Sequence, residues 1–146
     1  RFKQWLALPM AATAGWLVWV MLQLINPVMG MPDAAHEMFS PTRLEQLRSD
    51  GNAVLVDATA AWCLTCKVNE RVALQPEAMQ QFFHEQKIIL MVADWTARDT
   101  EITAYLASFG RNGVPLYVYY PPHGEAVVLP QILTPSLIRK TILEAK

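Results

Sequence analysis

The chain has 146 residues, 53% of them apolar and only 17% charged, against a usual charged share of roughly 25%. Its 12 Lys and Arg nearly balance 13 Asp and Glu, and no basic block occurs, which excludes a disordered tail and a basic nucleic-acid binder. Two cysteines are too few for a disulfide-stapled mini-protein or a four-cysteine zinc site.

The chain starts at Arg1 and not at Met, so it reads as a piece of a longer one. No charged residue lies between Lys3 and Asp33, and residues 5–25 read WLALPMAATAGWLVWVMLQLI. At 1.5 Å per residue this is about 31 Å of helix, the span of a ~30 Å hydrocarbon core. Pro9 falls near the first turn, where a missing N–H does least harm. The expectation is a transmembrane helix over residues 1–26, inserted through residues 4–26 and the last of a larger membrane domain. A signal peptide has a shorter apolar run and a small-residue cleavage site. A buried core helix, apolar all round, needs more cover than the remaining chain supplies. Arg1 and Lys3 at one end put the remainder outside the cytoplasm by the positive-inside rule.

Residues 27–39 contain two prolines, a glycine and no clear period, and are expected to be a linker. Met29, Met31, His36 and Met38 offer soft ligands for copper(I), or are incidental to a tether. A domain over residues 40–146 follows. Ser40-Pro41 opens a helix that Gly51 ends. Residues 53–59 (AVLVDAT) form a strand, residues 62–74 a helix, and Pro76 starts another. Residues 87–93 (KIILMVA) read as a buried parallel strand, 99–109 as a helix, 116–120 (LYVYY) as a strand. A Pro-Pro-His-Gly turn returns the chain as a strand over 125–129, and Thr134-Pro135 caps a last helix. Alternation followed by a hairpin implies an α/β fold with a central mixed sheet flanked by helices.

Cys63-Leu64-Thr65-Cys66 follows a strand and begins a helix. Residues i and i+3 share a helix face, near enough for a disulfide. The first cysteine meets unpaired N–H groups and the helix dipole, which stabilise a thiolate. Cys63 is therefore the expected nucleophile and Cys66 the buried resolving thiol. Competing uses of the motif are weaker. A c-type haem site needs His where Lys67 stands, and His84 and His123 lack zinc-ligand spacing to the pair. A structural disulfide closing so short a loop adds little stability.

Asp57 interrupts an apolar strand six residues before Cys63. Burial would raise its pKa and let it exchange a proton with Cys66; the alternative is a strand-end residue reaching solvent. Glu70, four residues after Cys66, either joins Asp57 in this task or is a surface glutamate. Val114-Pro115 precedes a strand. With a cis bond, the turn would present the Val114 backbone beside Cys63 to a partner chain. Trp62 is a contact surface or, alternatively, a core residue.

Residues 56–70 (VDATAAWCLTCKVNE), with ADWT at 93–96, FGRNGVP at 109–115 and LPQILTP at 129–135, resemble the thioredoxin fold. The closer resemblance, over about residues 38–146, is to the C-terminal periplasmic domain of the DsbD/ScsB family of transmembrane disulfide reductases. The resemblance implies a relay. A membrane domain of the same full-length protein donates electrons, and periplasmic disulfide proteins accept them. Cys63 would attack and Cys66 resolve. Asp57 and Glu70 would modulate them, and Pro115 would be the cis-proline. It implies a bacterial inner-membrane location, with this domain in the periplasm. The redox-active pair Cys63–Cys66 would carry the electrons, with no organic cofactor, metal or nucleic acid needed. A disulfide oxidant of the same fold and a copper-handling module are the alternatives.

Overall fold

The computed structural model describes residues 13, 15–17 and 36–145. The chain divides into two units, Arg1–Pro32 and Asp33–Lys146. The apolar segment 5–25 lies almost wholly outside the described residues, as do Met29 and Met31. Among the described residues no helix is long and apolar enough to cross a membrane.

Within the second unit, the elements in chain order are β1 His36–Met38, α1 Pro41–Ser49, β2 Ala53–Thr59, and α2 Leu64–Asn69. A π-helical turn, Glu70–Leu74, continues α2. Then come α3 Glu77–Glu85, β3 Ile88–Asp94, α4 Thr100–Ser108, β4 Leu116–Tyr120, β5 Val127–Leu129 and α5 Pro135–Glu144. The sheet order is β1-β3-β2-β4-β5. β3 runs parallel to β1 and β2, while β4 is antiparallel to both β2 and β5. This is the mixed α/β sheet expected from the sequence.

Period-two alternation sorts the central strands between two cores. Leu55, Leu90, Tyr117 and Tyr119 pack with Phe83, Ile138 and Ile142 from α3 and α5. Val54, Val56, Met91 and Val118 pack with Leu44, Leu47, Ile102 and Leu106 from α1 and α4. Every residue of β2 is buried, because sheet neighbours and helices enclose it on all sides.

Several boundaries differ from expectation for local reasons. The expected linker 27–39 ends in a strand: β1 adds to the sheet edge in register with Leu90, Met91 and Val92. Lys87 is left-handed (φ 54°), so β3 begins one residue later. Asp99 caps α4, its carboxylate accepting from Glu101 N at 2.8 Å and Ile102 N at 3.1 Å. The segment expected as one helix over 62–74 starts at Leu64 and widens at Glu70, where Gln75 N donates to Glu70 O at 2.7 Å. Thr134 caps α5 as expected, accepting from Leu137 N. Ser40 holds the N-cap position of α1 without a side-chain cap bond.

Candidate active site

β2 ends at Thr59, and a four-residue turn carries the chain to α2. Cys63 is the N-cap residue of that helix, and its Sγ accepts from Cys66 N at 3.2 Å. The two cysteines are joined as a disulfide, with Cα atoms 5.3 Å apart. Cys63 is 7% exposed and Cys66 is fully buried, the ordering expected for an attacking and a resolving sulfur. Ala60 packs against the pair, as does the half-buried Val114. The Val114–Pro115 peptide is cis. Val114 thus stands beside the sulfurs, where the sequence placed it.

Asp57 does not reach solvent. It sits mid-strand, paired with Val92 on β3 and Tyr117 on β4, and is 3% exposed. Among the described residues its Oδ1 has no hydrogen-bond partner. Burial pushes its pKa up to about 7, the negative charge of Glu70 adds to the rise, and Lys67 opposes it. A carboxyl group there changes protonation near neutral pH. Tyr117, its cross-strand neighbour, is pushed far above the usual phenol range, first by burial and then by the charge of Asp57.

Glu70 is not a plain surface residue. Its Oε1 accepts from Thr59 Oγ1 at 2.8 Å and from Lys67 Nζ at 2.9 Å, and its Oε2 accepts from Lys67 Nζ at 3.0 Å. Asp57, Thr59, Lys67, Glu70, Asp94 and His36 line one cavity of about 260 Å³. Asp57 and the charged groups that shift its pKa, Glu70 and Lys67, therefore share one cleft.

Trp62 is exposed, which removes the core alternative. Its ring lies 5.9 Å from that of Trp95, and its Nε1 donates to Thr96 O at 3.4 Å. Thr96 Oγ1 accepts from Ala61 N at 2.8 Å and is paired with Asp94, tying the turn before Cys63 to the end of β3. The sequence reading gives Thr59 only a place in the turn into the site, and assigns no site role to Lys67, Thr96 or Asn69. The i,i+3 spacing of Lys67 and Glu70 was a readable signal. The bonds of Thr59 and Thr96 join elements distant in sequence and leave no local trace. Among the described residues, no group of three or more His, Cys, Asp or Glu side chains is placed to hold a metal ion. His36 and Met38 of the expected linker lie in β1.

Chemically, the arrangement offers a disulfide at a helix N-terminus whose first sulfur belongs to the less buried cysteine, and a buried carboxyl group in the preceding strand whose pKa is raised to about 7. Comparison with known proteins agrees. The family model described as thioredoxin-like matches residues 35–122. The thiol:disulfide interchange protein DsbD of Pectobacterium atrosepticum is 32% identical over 74 residues, which is 51% of this chain and 12% of that protein. DsbD of Yersinia pestis (strain Pestoides F) is 26% identical over 103 residues, 66% of this chain and 17% of that protein. The chain thus spans less than a fifth of the length of these relatives. The reduced C-terminal domain of Neisseria meningitidis DsbD superposes with a TM-score of 0.60 at 19% identity, covering 75% of this chain and 99% of that domain. That likeness establishes the fold. With the family model covering more than half of its length, this chain belongs to the thioredoxin-like family.

Proposed function

We propose that the chain is a protein-disulfide reductase domain acting by dithiol–disulfide exchange at Cys63 and Cys66. The observation that carries this reading is the Cys63–Cys66 disulfide at the start of α2, packed against Ala60 and Val114 of the cis Val114–Pro115 turn. The reduced form begins the cycle. The Cys63 thiolate attacks a partner disulfide; one partner sulfur leaves as a thiolate and a mixed disulfide forms. Cys66 then gives its proton to Asp57 and attacks Cys63 Sγ. The Cys63–Cys66 bond forms, the second partner sulfur leaves, and two electrons have passed to the partner. Each leaving thiolate takes up a proton, one of them from Asp57 or from water. The oxidised pair described above is the state after this transfer.

Glu70 acts through Asp57, raising its pKa by charge, and Lys67 limits that effect. Trp62, Val114 and Pro115 form the contact surface around Cys63. Among the described residues none makes a hydrogen bond with the Val114 backbone, leaving it open to a partner chain.

The likeness to DsbD supports further parts of the reading. Electrons would come from a membrane domain of the same full-length protein, and the acceptors would be periplasmic disulfide proteins. The apolar residues 4–26 would anchor the chain in a bacterial inner membrane. The direction of transfer rests on electrostatics. An oxidant of this fold needs a strongly stabilised Cys63 thiolate, whereas Glu70 and ionised Asp57 place negative charge near the pair.

Trapping tests the exchange. The reduced Cys66→Ser chain, mixed with a periplasmic extract, is expected to accumulate mixed disulfides through Cys63 that a thiol reductant releases. Absence of such adducts, or adducts that persist in Cys63→Ser/Cys66→Ser, would contradict the proposal.

A further inference from the structure

A helix that covers a core normally turns a polar face to solvent. The segment formed by α2 and its π-helical turn does not. Its inner face is filled by Cys66, Asn69, Ala73 and Leu74, all buried. Its outer face carries Leu64 at 78% exposure, Val68 at 52% and Val72 at 53%. Thr65 and Arg71 are also exposed, and the side chain of Lys67, turned toward Glu70, is 44% exposed.

The wide turn brings Val72 closer to line with Val68. Four residues of α-helix overshoot a full turn by about 40°, so a regular helix would carry Val72 progressively off line. The i→i+5 turn from Glu70 to Gln75 advances less per residue and cancels much of that drift between Val68 and Val72. The result is a continuous apolar strip that starts at the residue after Cys63. Ile132 is exposed in the neighbouring loop, where Asn69 accepts from Leu133 N and donates to Gln131 O.

We propose that Leu64, Val68 and Val72 are the docking strip for the protein whose disulfide reacts at Cys63, and that this partner presents an apolar, uncharged surface beside its disulfide. The inference rests on the exchange reading and adds a direction of approach to it. Cys63 is nearly covered, so a partner sulfur reaches it only when the partner lies over the residues next to it. A standard interface covers about 800 Å² on each partner, a patch roughly 30 Å across. Val72 is only about 12 Å from Leu64 along the helix, well inside that footprint. The opposite flank, beyond Trp62, is different. There the β3–α4 loop and the first turn of α4 carry Asp94, Arg98, Asp99 and Glu101, with Arg98 over the Trp95 ring. Beyond the exposed Trp62 that flank is charged, whereas the α2 side continues apolar.

The test uses the full chain, reduced, with two oxidants: glutathione disulfide, a small charged peptide with no apolar surface to lay on Val68 and Val72, and insulin, a disulfide-bonded protein. For Val68→Glu/Val72→Glu, the insulin rate divided by the glutathione-disulfide rate is expected to fall at least about tenfold. Val68→Thr/Val72→Thr keeps side-chain shape, guards against misfolding, and is expected to give a smaller fall in the same direction. An unchanged ratio in both variants would overturn the docking strip while leaving disulfide exchange standing. Failure of the unmodified chain to react with either oxidant would remove the exchange reading, and the strip with it. A dimer in sedimentation that the Glu variant dissolves would reassign the strip to a second copy of the chain and overturn the proposal.

Discussion

Asp57 is held where an ionised carboxylate is costly. Its carboxyl group is buried without a partner for Oδ1 and titrates near 7 instead of 3.8. Between about pH 4 and pH 7 the folded state therefore binds a proton that the unfolded state has released. Stability falls as pH rises through that window, by a few kcal/mol at most, and levels off above the folded pKa. Urea unfolding of the oxidised chain at pH 5 and pH 8 is expected to show that loss. Asp57→Asn is expected to abolish it and to be the more stable protein at pH 8. A slope that survives the substitution would assign the dependence to another group. In the reduced chain, Asp57→Asn is also expected to lower the pH at which Cys63 ionises, by removing a nearby negative charge; an unchanged thiolate titration would remove Asp57 from the mechanism. Lys67 works in the other direction. Lys67→Met is expected to move the Asp57 transition upward by up to about one pH unit, because the cation that opposes the rise is gone. Lys67→Arg is expected to restore it. NMR titration of the Asp57 carboxyl carbon reads both, and no movement in the Met variant would contradict the assigned role.

The elements differ in how plainly the sequence announced them. β2, β3 and β4 are legible because each is a short apolar run enclosed by the sheet and two helix layers. Asp57 stood out for the same reason: it is the one ionisable residue in AVLVDAT. The cysteine pair was legible from its i,i+3 spacing at a helix start. β1 was not, because its three residues have no alternation of their own and gain their partners from β3, more than 50 residues away. The π-helical turn leaves no periodicity signal. Asn69 was missed because its bonds are long-range: Nδ2 donates to Tyr117 OH at 3.0 Å and Gln131 O at 2.7 Å, and Oδ1 accepts from Leu133 N at 3.2 Å. It fixes the loop before α5 to the helix that carries the cysteines. Asn69→Ala leaves those buried groups unpaired and is expected to lower stability by about 2 kcal/mol or more, read as a lower urea midpoint. A change below about 0.5 kcal/mol would show that the loop is held by other contacts.

For the molecule as a whole, the fold was legible from the order of elements, and the candidate site from Cys63, Cys66 and Val114, which pack together, and from Asp57, buried within β2. The apolar N-terminal segment remains an expectation of the sequence, since it falls outside the described residues. In the proposed reaction the dithiol gives electrons outward. The most direct measurement is the reduction potential of the Cys63–Cys66 couple, obtained by equilibrating the full chain in defined thiol buffers and quantifying the oxidised fraction. The expected value is at or below about −200 mV, in the range of reducing members of the fold. A value near about −120 mV would make the chain an oxidant and contradict the direction of transfer.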